Sequence, residues 1–72
     1  MDIVEAYDEL VTLVEAMMDQ NAQKTIEARR VNAKEFAARG KYCDKLMKLH
    51  ASLTKLGSQV ISINEQWQKL EG

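Results

Sequence analysis

The chain contains no proline and only three glycines, so very few of its positions break a helix. Its single cysteine excludes an internal disulfide and favours a reducing compartment. No apolar run approaches the roughly 20 residues that a helix needs to span a bilayer. The acidic start, MDIVEAYDE, is unlike the basic start of a secretory signal. From these absences we expect a soluble, cytoplasmic, all-α protein that does not enter a membrane.

Residues able to carry chemistry are equally scarce. Cys43 and His50 are the only cysteine and the only histidine. On a helix they share one face about 10 Å apart, which is too far for a nucleophile and its base, and two ligands do not make a zinc site. The isolated glycines form no phosphate-binding loop. We therefore predict no catalytic residue, no cofactor and no metal, so that the protein is not an enzyme, and we interpret Cys43 and His50 as partly buried at a helix interface.

The second half of the chain carries a long apolar repeat with alternating spacings of four and three residues, which predicts a helix packed along its length, as in a coiled coil. Gly57 stands beside this repeat, whose phase continues past it, so we predict one unbroken helix. The alternative is a break at Gly57, with Ser58 capping a further short helix. The repeat comprises Tyr42, Leu46, Leu49, Leu53, Leu56, Val60, Ile63, Trp67 and Leu70.

The clearest candidate for a turn is Gly40, which can adopt the left-handed conformation that ends a helix, with Arg39 before it as a favourable cation in the last turn. We therefore predict a single domain, residues 1–72: a helix from about 2 to 39, a turn at 40 and a helix from about 41 to 70. Residues 19–25 are polar but contain no strong helix breaker, so one long first helix is favoured over a split there. The predicted fold is an antiparallel helical hairpin.

The first helix has more apolar surface than one partner helix can bury. Its apolar positions between residues 3 and 18 cover an arc of about 180°, which is wider than a single helix–helix contact needs. They form two neighbouring stripes, and we assign the first to the contact between the two helices: Ile3, Tyr7, Leu10, Val14 and Met17. The second stripe and other apolar residues left over are predicted to bind a partner: Val4, Val11, Leu13, Met18, Ile61 and Trp67.

This surplus apolar face predicts a small module for protein–protein interaction. The simplest partner is a second copy, giving a homodimer that completes an antiparallel four-helix bundle. The other is a different protein, with the hairpin acting as a chaperone, adaptor or inhibitor. A small phage-encoded inhibitor of a host protein has the same features.

Charge is distributed unevenly along the chain. Residues 1–20 contain six acidic and no basic residues, whereas residues 21–57 contain nine basic and three acidic residues. The turn end of the hairpin is therefore basic and the open end acidic. These charges are either solvated faces or a site for an anionic partner, nucleic acid included, although no base-reading motif is present. The contacts expected in the second case are Arg29, Arg30, Lys34, Arg39 and Lys41.

The stretch ARGKYCDKLMKLHASLTKLGSQVISI, about a third of the chain, resembles the small helical-hairpin co-chaperones of type III secretion needle subunits. The similarity consists of an Arg39–Gly40 turn followed by Leu56, Ser58, Val60 and Ile63 at similar distances. It implies a cytoplasmic hairpin that pairs with a larger helical chaperone.

Overall fold

The computed structural model describes residues 2–72, which form two helices, α1 (Ile3–Val31) and α2 (Ala33–Glu71). The helices pack side by side in opposite directions, so that Tyr7 near the start of α1 contacts Leu53 in the second half of α2. The molecule measures 58 × 18 × 10 Å. The structure thus confirms the predicted all-α antiparallel hairpin, and no strand occurs among the described residues.

The turn of the hairpin is a single residue, Asn32, with an extended backbone (φ −150°, ψ 101°). Its N–H donates to the carbonyl of Ala28 and so closes the last turn of α1. Its side-chain Oδ1 accepts a hydrogen bond from the N–H of Glu35 at 3.0 Å and so caps the start of α2. One asparagine therefore ends one helix and begins the next.

The predicted turn at Gly40 is wrong. Gly40 lies inside α2, and no glycine in residues 2–72 has a positive φ. The helix tolerates an interior glycine at a cost of about 1 kcal/mol relative to alanine, whereas Asn32 supplies the side-chain cap that a new helix start requires. The predicted continuity of each helix elsewhere is confirmed, because α1 is unbroken through residues 19–25 and α2 is unbroken at Gly57.

A single seam joins the two helices. Its members recur at alternating spacings of three and four residues on both helices, as in a two-stranded coiled coil, and every other described residue is exposed. The most deeply buried apolar residues are Val14, Ala28, Leu46 and Leu53. The seam comprises Val4, Tyr7, Val11, Val14, Met18, Asn21, Thr25 and Ala28 on α1, with Arg39, Cys43, Leu46, His50, Leu53, Gly57, Val60 and Asn64 on α2.

Tyr7 packs against the backbone of α2 at Gly57. The Tyr7 hydroxyl donates a hydrogen bond to the carbonyl of Leu53, so the ring lies against the backbone of α2. A Cβ at residue 57 would lie 3.0 Å from Tyr7 Oη and 3.5 Å from its Cζ. Glycine at this position therefore makes room for the phenol rather than bending the helix.

A buried polar pair fixes the alignment of the helices nearer the turn. The Asn21 amide donates to the Arg39 carbonyl (3.1 Å), and its Oδ1 accepts from Arg39 Nη1 (3.1 Å). Arg39 Nε also donates to Glu35 Oε1 at 3.0 Å. Because buried asparagine lowers stability unless it finds its partners, such a residue selects one register over the alternatives.

The contact between Tyr7 and Gly57 makes the effect of Gly57→Ala depend on Tyr7. In the native chain we expect Gly57→Ala to give no gain in stability, because the new methyl displaces the phenol. In a Tyr7→Phe chain the nearest ring atom is at an ordinary contact distance, so the same change should stabilise by about 1 kcal/mol, the helix propensity of alanine over glycine. Urea unfolding at one protein concentration measures both values.

Gly40→Ala is the matched control, because a Cβ there has nothing within 4 Å. It should stabilise by about 1 kcal/mol in either background. An equal gain from Gly57→Ala with and without the Tyr7 hydroxyl would contradict the account.

The double role of Asn32 gives a second prediction. Asn32→Ala removes the cap of α2 and should lower stability by about 1 kcal/mol, whereas Asn32→Gly should cost only a few tenths. Gln59→Ala, an exposed change inside α2, is the control and should be nearly neutral. If thermal unfolding shows Asn32→Ala to be as neutral as that control, the turn does not depend on this cap.

Candidate protein-binding face

A row of large apolar side chains lies immediately before alternate residues of the seam on both helices. Ile3, for example, precedes Val4 on α1, and Leu56 precedes Gly57 on α2. Their side chains are between 41% and 83% exposed. Together with two residues at the end of α2 they form what we call the apolar face: Ile3, Leu10, Met17, Tyr42, Leu49, Leu56, Ile63, Trp67 and Leu70.

The apolar face is one continuous surface because the helices are antiparallel. On each helix its residues are rotated in the same sense from the seam, and reversing one helix brings the two rows to the same side of the hairpin. Two depressions show this directly. Ile3, Ile63 and Trp67 line one at the open end, and Met17 and Tyr42 line another nearer the turn.

The apolar face carries fewer charged side chains between its two depressions than the opposite side of the hairpin. Its outer edge carries Leu13 on α1, and on α2 it carries Ser52 and Gln59 with one charged residue, Lys45. The opposite side also exposes two large apolar residues, Met47 and Ile61. There, however, the α1 positions that flank the seam include the acidic Asp8 and Glu15. Depletion of charge is typical of the centre of a protein interface.

The structure corrects the predicted partner-binding set on α1. Val4, Val11 and Met18 are half-buried in the seam against α2, so their expected position on a surplus exposed face is wrong. The seam keeps Tyr7 and Val14 of the predicted contact stripe. The other seam positions are taken by Val4, Val11 and Met18 in place of Ile3, Leu10 and Met17.

The other three predicted residues are all exposed but lie in different places. Leu13 borders the apolar face, Trp67 belongs to it, and Ile61 lies on the opposite side of the hairpin. The apolar repeats of the sequence predict the remaining members of the apolar face inside the helix–helix contact. On α2 they are exposed, and smaller or polar residues take the seam positions beside them: Cys43, His50, Gly57 and Asn64.

The turn at Asn32 keeps the basic residues at one end of the hairpin. Four of the five predicted anionic-partner contacts are exposed there: Arg29, Arg30, Lys34 and Lys41. Arg39 is different, because its side chain is half-buried and already bound to Glu35 and Asn21. An anionic partner would therefore meet the four exposed cations.

Cys43 and His50 are half-buried in the seam, and the carbonyl of His50 accepts a hydrogen bond from the Thr54 hydroxyl. Within residues 2–72 no group of three or more histidine, cysteine, aspartate or glutamate side chains is placed to hold a metal ion. Neither of the two described helices combines the length and apolarity needed to cross a bilayer.

Comparisons with protein-family models, with curated proteins and with solved structures find no match to this chain. The Arg39–Gly40 turn, one feature of the resemblance to needle-subunit co-chaperones, is not a turn, because α2 continues through it. The functional argument therefore depends on the geometry and chemistry of the apolar face.

Proposed function

We propose that this protein is a non-enzymatic protein-binding module that acts by burying its apolar face against helices of a partner. Chaperone, adaptor and inhibitor are the roles that such a hairpin serves. The observation that carries the proposal is that nine large apolar side chains, each between 41% and 83% exposed, lie on one side of the molecule. Contiguous apolar patches larger than a few hundred Å² are rare on monomeric proteins and mark interaction sites.

The composition of the apolar face also fits an interface. It contains Trp67, the only tryptophan of the chain, together with Tyr42 and Met17. Tryptophan, tyrosine and methionine are enriched at protein interfaces, and tryptophan and tyrosine supply much of their binding energy. Trp67 is 60% exposed beside Ile3 and Ile63, in a depression where a partner side chain can pack.

The thin interior of the hairpin gives a second, energetic argument. Only four apolar residues of the described chain are buried, and none of its large side chains is fully enclosed. A chain of this size has a marginal core even when it is compact. Contact with further helices would bury the leucines that the hairpin leaves in water, at about 25 cal/mol for each Å² removed from solvent.

A second candidate function is binding of an anionic partner, nucleic acid included, through the basic turn end. The observation in its favour is that the single-residue turn brings Arg29 and Arg30, in the last turn of α1, close to Lys34 at the start of α2. Three cations at one tip attract phosphates, and such binding weakens steeply as salt rises.

The second candidate is tested by changing Arg29, Arg30 and Lys34 together to glutamine. If the tip binds polyanions, duplex DNA titrated at low salt should bind the native chain with a salt-dependent affinity that the triple variant loses. The control replaces Lys48, Lys55 and Lys69, which are exposed along α2, and should retain binding. Equal affinities for the two triple variants would eliminate a site at the turn.

The main proposal is tested by two matched double variants on α2. Leu49→Asp with Leu56→Asp places two charges on the apolar face, and Met47→Asp with Ile61→Asp places two on the opposite side at similar exposure. The first pair should abolish association and the binding of an apolar fluorescent dye, because a buried unpaired charge opposes contact. The second pair should change neither by more than about twofold.

Both double variants should remain helical by circular dichroism, since all four side chains lie outside the seam. The measurements are sedimentation equilibrium for mass and fluorescence titration for dye. If the two variants and the native chain agree in mass and in dye binding, the apolar face is not an interaction surface and the proposed function fails.

A further inference from the structure

We propose that the apolar face is occupied by a second copy of this chain, which docks face to face in the opposite direction to form a two-fold symmetric four-helix bundle. In this arrangement the turn end of one hairpin covers the open end of the other, α1 packs against α1 and α2 against α2. The inference rests on the proposed function, because it requires the apolar face to be an interface, and it adds the partner and its orientation.

The isolated hairpin exposes more surface than a compact monomer of its mass, and a second copy could bury this excess. The chain exposes 6022 Å², whereas a compact monomer of 8.2 kDa exposes about 4,500 Å². The excess of roughly 1,500 Å² is about twice the 800 Å² that each partner buries in a standard protein interface. An interface of standard size with a second copy therefore uses about half of this excess.

Charge selects the direction of the second copy. Residues 2–19 carry six acidic and no basic side chains, and they lie towards the open end of the hairpin. Residues 21–45, around the turn, carry seven basic and three acidic side chains. Copies that point the same way would bring like ends together, whereas copies that point in opposite directions bring the basic end of each to the acidic end of the other.

The positions of the side chains agree on where the two-fold axis passes. Leu56 lies midway along the α2 row of the apolar face, between Tyr42 and Leu70. Trp67 is about 16 Å from Leu56 towards the open end, and Tyr42 is about 21 Å from it towards the turn, at 1.5 Å per residue. An axis beside Leu56 therefore brings Trp67 of each copy to within about 5 Å, along the helix, of Tyr42 in the other. Tyr42 lines a depression there together with Met17, Lys24 and Arg39.

The symmetry also explains why the apolar face needs no other partner to be covered. A two-fold interface joins the same patch on both subunits, so its projections must fit its own depressions. Here Trp67, which is 60% exposed, is the aromatic side chain at one end, and the depression lined by Met17, Lys24, Arg39 and Tyr42 is the receiving site at the other. Each copy supplies both, so the contact occurs twice in the dimer.

Mass and oxidative cross-linking test the inference together. Sedimentation equilibrium of the native chain at micromolar concentration should give about twice 8.2 kDa. For cross-linking, Cys43→Ala removes the native thiol, and single cysteines are then introduced. Leu56→Cys should form a disulfide-linked dimer with itself, because residues beside a two-fold axis meet their own copies within disulfide reach. Trp67→Cys and Tyr42→Cys should each remain unlinked alone and link when mixed.

Two other results would overturn the inference. Copies that point the same way pack α1 against α2 of the other copy, so Leu49→Cys would link to Leu10→Cys, and Leu56→Cys would not link to itself. A native chain that stays at 8.2 kDa while the apolar face binds dye would exclude the second copy. That last result would leave the proposed function intact, with a different protein as the occupant of the apolar face. The proposed function itself fails in a separate case, in which both double aspartate variants behave like the native chain. Met47→Cys, on the opposite side, is the control and should not link.

Discussion

Two packed helices can each bury only the stripe that faces the other, and this limit governs the whole molecule. The seam of the hairpin contains glycine, two asparagines, a histidine and an arginine, while most of the large leucines and isoleucines stand outside it. An isolated hairpin would gain more from the reverse arrangement, because burial stabilises in proportion to the apolar area removed from water. The exposed row is therefore better explained as the inner surface of a larger bundle than as the outside of this one.

The contacts that select this seam are specific hydrogen bonds and close steric fits rather than general apolar packing. The Tyr7 hydroxyl reaches the backbone of α2 only because residue 57 has no side chain, and Asn21 exchanges two hydrogen bonds with Arg39. A glycine, a phenol and a buried amide fix the register and rotation of the helices, which fixes the side to which the leucines point. Fold and candidate function are thus linked through a few small or polar residues.

The helical hairpin itself could be predicted from the apolar repeat and the scarcity of helix-breaking residues. Which face of each helix contacts the other, and where the turn lies, could not. On α1 two apolar stripes one residue apart both have the required spacing. Contacts between the helices, such as Tyr7 with Leu53 and Asn21 with Arg39, distinguish them. Asn32 followed by Glu35 matches a helix-capping pattern. Because Thr12 with Glu15 and Ser62 with Glu65 match the same pattern equally well, the pattern does not locate the turn. The sequence therefore predicts a surplus of exposed apolar surface, but of the six residues assigned to it only Trp67 belongs to the apolar face.

The central claim is that the apolar face is covered by a second copy, and hydroxyl-radical footprinting of the unmodified chain tests it most directly. Leu49 and Leu56 on the apolar face are nearly as exposed in the single hairpin as Met47 and Ile61 on the opposite side. When the protein is concentrated from nanomolar to high micromolar, the two leucines should become several-fold less reactive, while Met47 and Ile61 keep their rates. Reactivities of Leu49 and Leu56 that do not change with concentration, in a chain that remains helical, would contradict the account.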